Sequence, residues 1–377
     1  MAAQPTPSVQ SAPSALPAHV PELDGLRGVA VAVVVVHNLR RIIEPQGDTA
    51  SLLWVQLLDR GWIGVQLFFV LSGFLITRIL LRSRAAENYY SGFFARRALR
   101  ILPLYYAALL LWLVVLPAIG WEFPHDKSTD AYLWVFLSNW VQPFHTGGAL
   151  IHFWSLAVEE QFYLVWPLAI RRLRALPFCL AVAALSLAIR LAMVVSGVLS
   201  EAVYEWTVCR MDALALGAAV AAWAEEPPQL AKLLSRAFLR WSPWIVLLAG
   251  ALCSRGYRQN GALAQTAGYS LLALGFGLWI LSILAERDWP ANAWLRWPWL
   301  RSLGKYSYGI YVIHLPFRVA AEALLNTLGL PKTLAVDVGY VAVTSLVVYG
   351  LAVACYHGYE SRFLQLKSRF EPRPAAG

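Results

Sequence analysis

The stretch Asp24-Gly25-Leu26-Arg27-Gly28, followed by the unbroken apolar run from Val29 to Val36 and closed by His37-Asn38, decides how the chain is read. Its length and apolar character suit a helix crossing a hydrocarbon core, which needs about 20 residues. Yet an arginine stands at one end and a histidine at the other. Lipid penalises both unless a bundle encloses them or the side chains snorkel to an interface, so the pair is a candidate functional feature.

The rest of the chain agrees. Hydrophobic residues make up 59% and charged residues 14% of the 377, and mean hydropathy is +0.54, far from the balance of a soluble domain. The expected fold is all-α, a polytopic membrane bundle of about ten transmembrane helices. The spans are predicted at about residues 24–43, 61–82, 101–120, 152–170, 175–197, 208–224, 242–254, 264–285, 304–326 and 334–357. The stretch Ala131 to Val141, with polar Ser138-Asn139, is too short to cross and is expected to be interfacial or re-entrant. Residues 1–20 read as a disordered tail, 21–360 as the membrane domain and 361–377 as a cytoplasmic tail.

The net charge of +9 does not indicate nucleic acid, because the basic residues fall in short clusters between spans, as orientation signals do. Arg82, Arg84, Arg96, Arg97, Arg100, Arg171, Arg172 and Arg174 mark cytoplasmic connections, and Lys232, Arg236, Arg240, Arg287, Arg296, Arg301 and Lys305 continue the alternation. Arg40, Arg41, Arg255 and Arg258 are exceptions. Both termini are expected in the cytoplasm. The four cysteines stand singly, without metal-ligand spacing, so no metal is expected.

Several polar stripes interrupt the apolar runs. His37 lies ten residues beyond Arg27, about 15 Å along a helix, and an imidazole with a pKa of about 6.5 suits it to accept a proton from a hydroxyl. In His152-Phe153-Trp154-Ser155-Leu156-Ala157-Val158-Glu159-Glu160-Gln161-Phe162-Tyr163, the residues Ser155, Glu159 and Tyr163 recur at i, i+4 and i+8 and share one helix face. Glu160 is turned away by about 100°. Glu159 is expected to support His37.

Arg97 and Arg100, at i and i+3, present two guanidiniums suited to phosphate, with membrane anchoring as the alternative. Ser307, Tyr311 and His314 share a face of the ninth span, with Pro316 expected to loosen the helix beyond them. Arg210 and Asp212, two apart, do not face each other on a helix and need other partners. Ser72-Gly73 reads as a close-packing site.

Six ordered motifs resemble the acyltransferase-3 family of bacterial integral-membrane O-acyltransferases. They are DGLRG with His37, QLFFVLSGFLI, FFARRALRILPLYY, HFWSLAVEEQFYLVWP, CRMDALALG and KYSYGIYVIHLPF, spread from Asp24 to about Glu360. The resemblance implies transfer of an acyl group, most often acetyl from cytoplasmic acetyl-CoA, to a hydroxyl of a glycan or glycosylated small molecule at the bacterial inner membrane. It implies that His37 is essential, as general base or acyl carrier, that Glu159 is catalytic, and that Arg27, Arg97 and Arg100 serve the acyl-CoA donor. Trp154, Ser155, Tyr163, Arg210, Asp212, Tyr311 and His314 are then substrate or transition-state candidates. The SGNH-type domain fused to some members is not expected here. A proton-coupled transporter or flippase is the rival reading, since buried His, Glu and Arg also mark proton relays, and a non-catalytic scaffold leaves the polar stripes unexplained.

Overall fold

The computed structural model describes residues 19–40, 49–121, 127–145, 148, 150–225, 235–286 and 289–374. The tail to residue 18, the predicted end of the first span, and Arg41, Lys232 and Arg287 lie outside them. Among the described residues there is no β-strand. Ten long helices within those residues carry the fold: α1 Pro21–Leu39, α2 Ile63–Arg82, α3 Tyr89–Leu110, α4 Trp154–Arg172, α5 Ala175–Val195, α6 Thr207–Glu225, α7 Arg236–Cys253, α8 Tyr269–Ala285, α9 Pro298–Thr327 and α10 Leu334–Cys355.

Among the described residues six helical segments, containing α2, α3, α5, α6, α8 and α10, are long and apolar enough to cross a membrane. The other four long helices, α1, α4, α7 and α9, are interrupted by polar or charged residues. Three of them, α1, α4 and α9, carry Arg27 and His37, Glu159, and Tyr311 and His314. The residues that dilute the membrane signal are therefore those that build the interior.

The helices differ from the predicted spans at three places. Helix α3 starts at Tyr89, twelve residues before the expected boundary at Ile101, so Arg96, Arg97 and Arg100 belong to the helix itself. Helix α7 starts at Arg236 and runs through Pro243. Helix α9 starts at Pro298, six residues before the expected boundary, and runs unbroken through Pro316, as transmembrane helices tolerate when neighbours enclose the freed backbone.

Glycines explain two tight helix pairs. A Cβ at Gly25 or Gly28 of α1 would stand 1.9 Å from the Leu295 carbonyl oxygen or 2.0 Å from that of Leu300, and one at Gly304 of α9 would stand 1.9 Å from that of Asp24. Helices α2 and α6 interlock likewise, Gly73 against Leu214 and Gly217 against Val70, each at 1.9 Å. Small residues thus bring backbones close where lipid supplies no hydrophobic drive for association.

The segment before α4 is too short to cross and packs against the bundle. Short helices at Asp130–Trp134 and Ser138–Val141 fold onto the bundle, and the hydroxyls of Tyr105 and Tyr106 donate to the Leu133 and Trp134 carbonyls at 2.7 and 3.1 Å. Asn139 is buried and donates to Thr207 Oγ1 at 2.9 Å.

Candidate active site

The glycine contacts that seat α1 on α9, and α2 on α6, leave a cleft of about 860 Å³ between α1, α2, α3, α4 and α9. Arg27, Arg97 and Arg100 line its basic part, with Ser72, Ser155, Glu159, Tyr163, Ser307 and Tyr311 on the other walls. The i, i+4, i+8 stripe of α4 therefore faces one cavity, as its spacing required. Glu160 points elsewhere, with one carboxylate oxygen buried and unpaired.

Inside the cleft the Tyr163 hydroxyl donates to Glu159 Oε2 at 3.2 Å and lies 2.6 Å from Ser72 Oγ. Since the single phenolic proton goes to the carboxylate, Ser72 is the donor to Tyr163. Ser72 is thus more than a packing residue, whereas its neighbour Gly73 is one. The Tyr311 hydroxyl donates to the His152 carbonyl at 2.9 Å and lies 2.5 Å from Ser155 Oγ, tying α9 to α4.

His37 lies outside this cleft. Its Nδ1 is 2.6 Å from the Leu58 carbonyl oxygen. A carbonyl only accepts, so Nδ1 carries the proton and the Nε2 lone pair is left available. Gly61 packs against the same imidazole, where a Cβ would come within 2.2 Å of that of His37. The ten-residue spacing puts His37 about 80° around the helix from Arg27, which is why one faces the cleft and the other the turn before α2.

The expectation that Glu159 supports His37 directly is not met. Glu159 is bonded to Tyr163 and His37 to Leu58, and the elements between them are Tyr311, Ser155 and two further histidines. His314 is fully buried; its Nδ1 donates to the Tyr311 carbonyl at 2.6 Å, and its Nε2 accepts from Asn38 Nδ2 at 3.0 Å. The His152 ring lies 4.8 Å from that of His314 and 5.1 Å from that of Tyr311. His152 is buried, and its position one turn before the Ser155–Glu159 stripe was the available signal.

Arg210, Asp212 and Trp154 also stand apart from the cleft walls. Asp212 is paired with Arg190 of α5 at 2.8 Å, both buried, and accepts from Ser270 of α8 at 2.7 Å. Arg210 donates to Gln66, and its guanidinium lies 4.7 to 6.0 Å from the ring centres of Tyr269, Tyr204, Phe69 and Trp154. Two residues apart on α6, they indeed find different partners. Among the described residues no group of three or more His, Cys, Asp or Glu could hold a metal ion.

The acyltransferase-3 profile, described as an acyltransferase domain, matches residues 20–357. The chain is 30% identical over 325 residues to YrhL of Bacillus subtilis, provisionally named a peptidoglycan O-acetyltransferase, covering 79% of this chain and 48% of that protein. It is 34% identical over 161 residues to the peptidoglycan O-acetyltransferase OatA of Listeria monocytogenes, covering 40% and 24%. It is 28% identical over 329 residues to the O-acetyltransferase OatA of Staphylococcus aureus, covering 80% and 51%. The chain spans about half the length or less of these curated relatives. No solved structure matches it significantly.

Proposed function

Because the chain belongs to the acyltransferase-3 family, we propose that it is a membrane-embedded O-acyltransferase that moves an acetyl group from acetyl-CoA to a hydroxyl of a cell-envelope glycan. The names of its relatives favour peptidoglycan as the glycan class. The observation that carries the reading is the cleft itself, with two arginines of α3 and Arg27 at one part and a bonded carboxylate–phenol–hydroxyl set in its depth. Its basic part faces the cytoplasm, and both termini lie on that side.

Arg97 and Arg100 bind donor phosphates, where paired planar guanidiniums suit phosphate oxygens. The thioester runs inward toward the Ser155–Tyr311 contact. The acceptor hydroxyl comes from the side of His37, whose Nε2 lone pair takes its proton as the oxygen attacks the thioester carbonyl. The carbon–sulfur bond breaks and the CoA thiolate leaves, taking a proton from water, to which His37 gives up the one it accepted. In the covalent variant Nε2 attacks the thioester carbonyl and expels the CoA thiolate, and the hydroxyl then takes the acetyl group from Nε2, its proton passing to water or to the freed imidazole. Tyr311 or Ser155 stabilises the developing oxyanion by turning its hydroxyl proton from the His152 carbonyl toward it. Glu159 acts through Tyr163 and Ser72, not on His37.

Purified protein given acetyl-labelled CoA and peptidoglycan fragments should form labelled ester and free CoA. His37→Ala should lower transfer by roughly 10²- to 10⁴-fold, the range for a general base, with an unchanged unfolding midpoint. An intact thioester with the wild type overturns the reading, as does near-normal transfer by His37→Ala. A transporter would leave the thioester intact.

A further inference from the structure

The cleft has a neighbour. Arg97 also lines a second cavity of about 460 Å³, walled by Tyr89, Phe93 and Arg96 of α3 and by Lys367 and Phe370 from beyond α10. The chain after α10 is helical through Phe370 and is strapped across the start of α3. Glu87 N donates to the Arg373 carbonyl at 3.1 Å, Asn88 Nδ2 to the Glu371 carbonyl at 2.8 Å, and Arg373 N to Asn88 Oδ1 at 2.8 Å. Farther along α3, the Tyr359 hydroxyl donates to the Pro103 carbonyl at 3.2 Å. Gly92 permits the approach, since a Cβ there would stand 3.2 Å from the Phe370 carbonyl oxygen.

The strap sorts its own cations. Arg362 and Arg369 are exposed, as anchors to lipid headgroups are, but Lys367 is turned inward and partly buried. There, in an excess of positive charge, burial and the guanidiniums of Arg100, Arg97, Arg96 and Arg27 push its ammonium down to about 7, and an anion bound beside it would restore its charge. The carboxylates nearby do not balance that excess. Glu360, 3.8 Å from Arg100, also acts on Lys367, and Glu159 and Glu160 act on Arg97, fewer carboxylates than the five cations. Neither Arg96, Arg97 nor Lys367 has an ion-pair partner among the described residues. Crowding like charges around an aromatic-walled cavity is unfavourable unless an anion fills it.

We infer that this second cavity takes the phosphorylated nucleoside end of the donor, its sugar phosphate held by Lys367 and Arg96 and its base against the rings of Phe93 and Phe370. Arg97, shared by both cavities, is the point where the donor passes from one to the other. The C-terminal strap is thus a donor-specificity element. The inference rests on the acyl-CoA reading above and adds a site and a residue to it.

The test is equilibrium binding of CoA, dephospho-CoA and 4′-phosphopantetheine to the purified full chain in detergent. The wild type should prefer CoA over dephospho-CoA, which lacks the 3′-phosphate, by about tenfold or more, the value of one charge-assisted contact. Lys367→Ala should bring that ratio close to one while leaving 4′-phosphopantetheine affinity unchanged, which also reports an intact fold. Lys367→Arg should restore most of the preference, and Arg362→Ala should leave it as in the wild type. If the wild type binds CoA but Lys367→Ala keeps the wild-type ratio, or weakens all three ligands equally, the second site is wrong and the donor reading stands. If the wild type binds none of the three, the donor reading fails and this inference with it.

Discussion

Two groups of arginines inside the bundle invite comparison. Arg190 and Arg210 are sealed, with no exposed surface, the first bonded to Asp212, Ser270 and the Cys209 carbonyl, the second to Gln66 and enclosed by aromatic rings. Arg27, Arg97 and Arg100 line a cleft instead, with an ion pair to Asp24 or Glu360 no closer than 3.8 Å and none at Arg97. The same side chain thus serves opposite ends. Where protein groups enclose a guanidinium it joins helices, even with Arg190 Nε and Arg210 Nε and Nη1 left unbonded; where a cavity faces it, its bonding capacity is open to a ligand.

The largest break in that comparison should come from Asp212→Ala. It leaves Arg190 charged and unpaired in the core, and unfolding should become easier by about 3–5 kcal/mol, read as a lower denaturation midpoint in detergent. Pairing Asp212→Leu with Arg190→Met should recover most of the loss, because removing both charges removes the desolvation penalty as well. Donor affinity in that double variant should match the wild type; a loss of CoA binding there would move the sealed pair into the donor site.

A smaller effect sharpens the cleft side. Ser72→Ala removes the donor to the Tyr163 oxygen without creating an unpaired charge, and should cost about 1 kcal/mol or less in stability. Its turnover should fall several-fold while CoA affinity holds, since Glu159 and Tyr163 lose their fixed orientation but the arginines do not. Equal losses of turnover and CoA affinity would place Ser72 among the donor contacts.

Much of this was legible in the sequence. The apolar periods located the helices, because each must satisfy its backbone internally to cross lipid, and the spacing of Ser155, Glu159 and Tyr163 foretold one wall of the cleft. Arg97 and Arg100 stood out by their i, i+3 spacing, although the helix that carries them begins earlier than its apolar run suggested. What local spacing could not supply was pairing across the bundle. Asp212 meets Arg190, 22 residues away on another helix, and Glu159 meets its own-helix Tyr163 rather than His37. Ser72 looked like a packing residue because its neighbour Gly73 is one, and only the approach of α4 reveals its hydroxyl bond. The C-terminal segment, expected merely as a tail, gains its role from Asn88, some 280 residues upstream.

The division between sealed and open arginines is tested most directly at Arg97, by measuring CoA affinity and unfolding midpoint on the same purified Arg97→Ala protein. The account predicts CoA binding weaker by about 10- to 100-fold, equivalent to roughly 1.5–3 kcal/mol, with stability changed by no more than about 0.5 kcal/mol. Unaltered CoA binding with a clearly lowered unfolding midpoint would contradict it, and would make Arg97 a structural cation like Arg190.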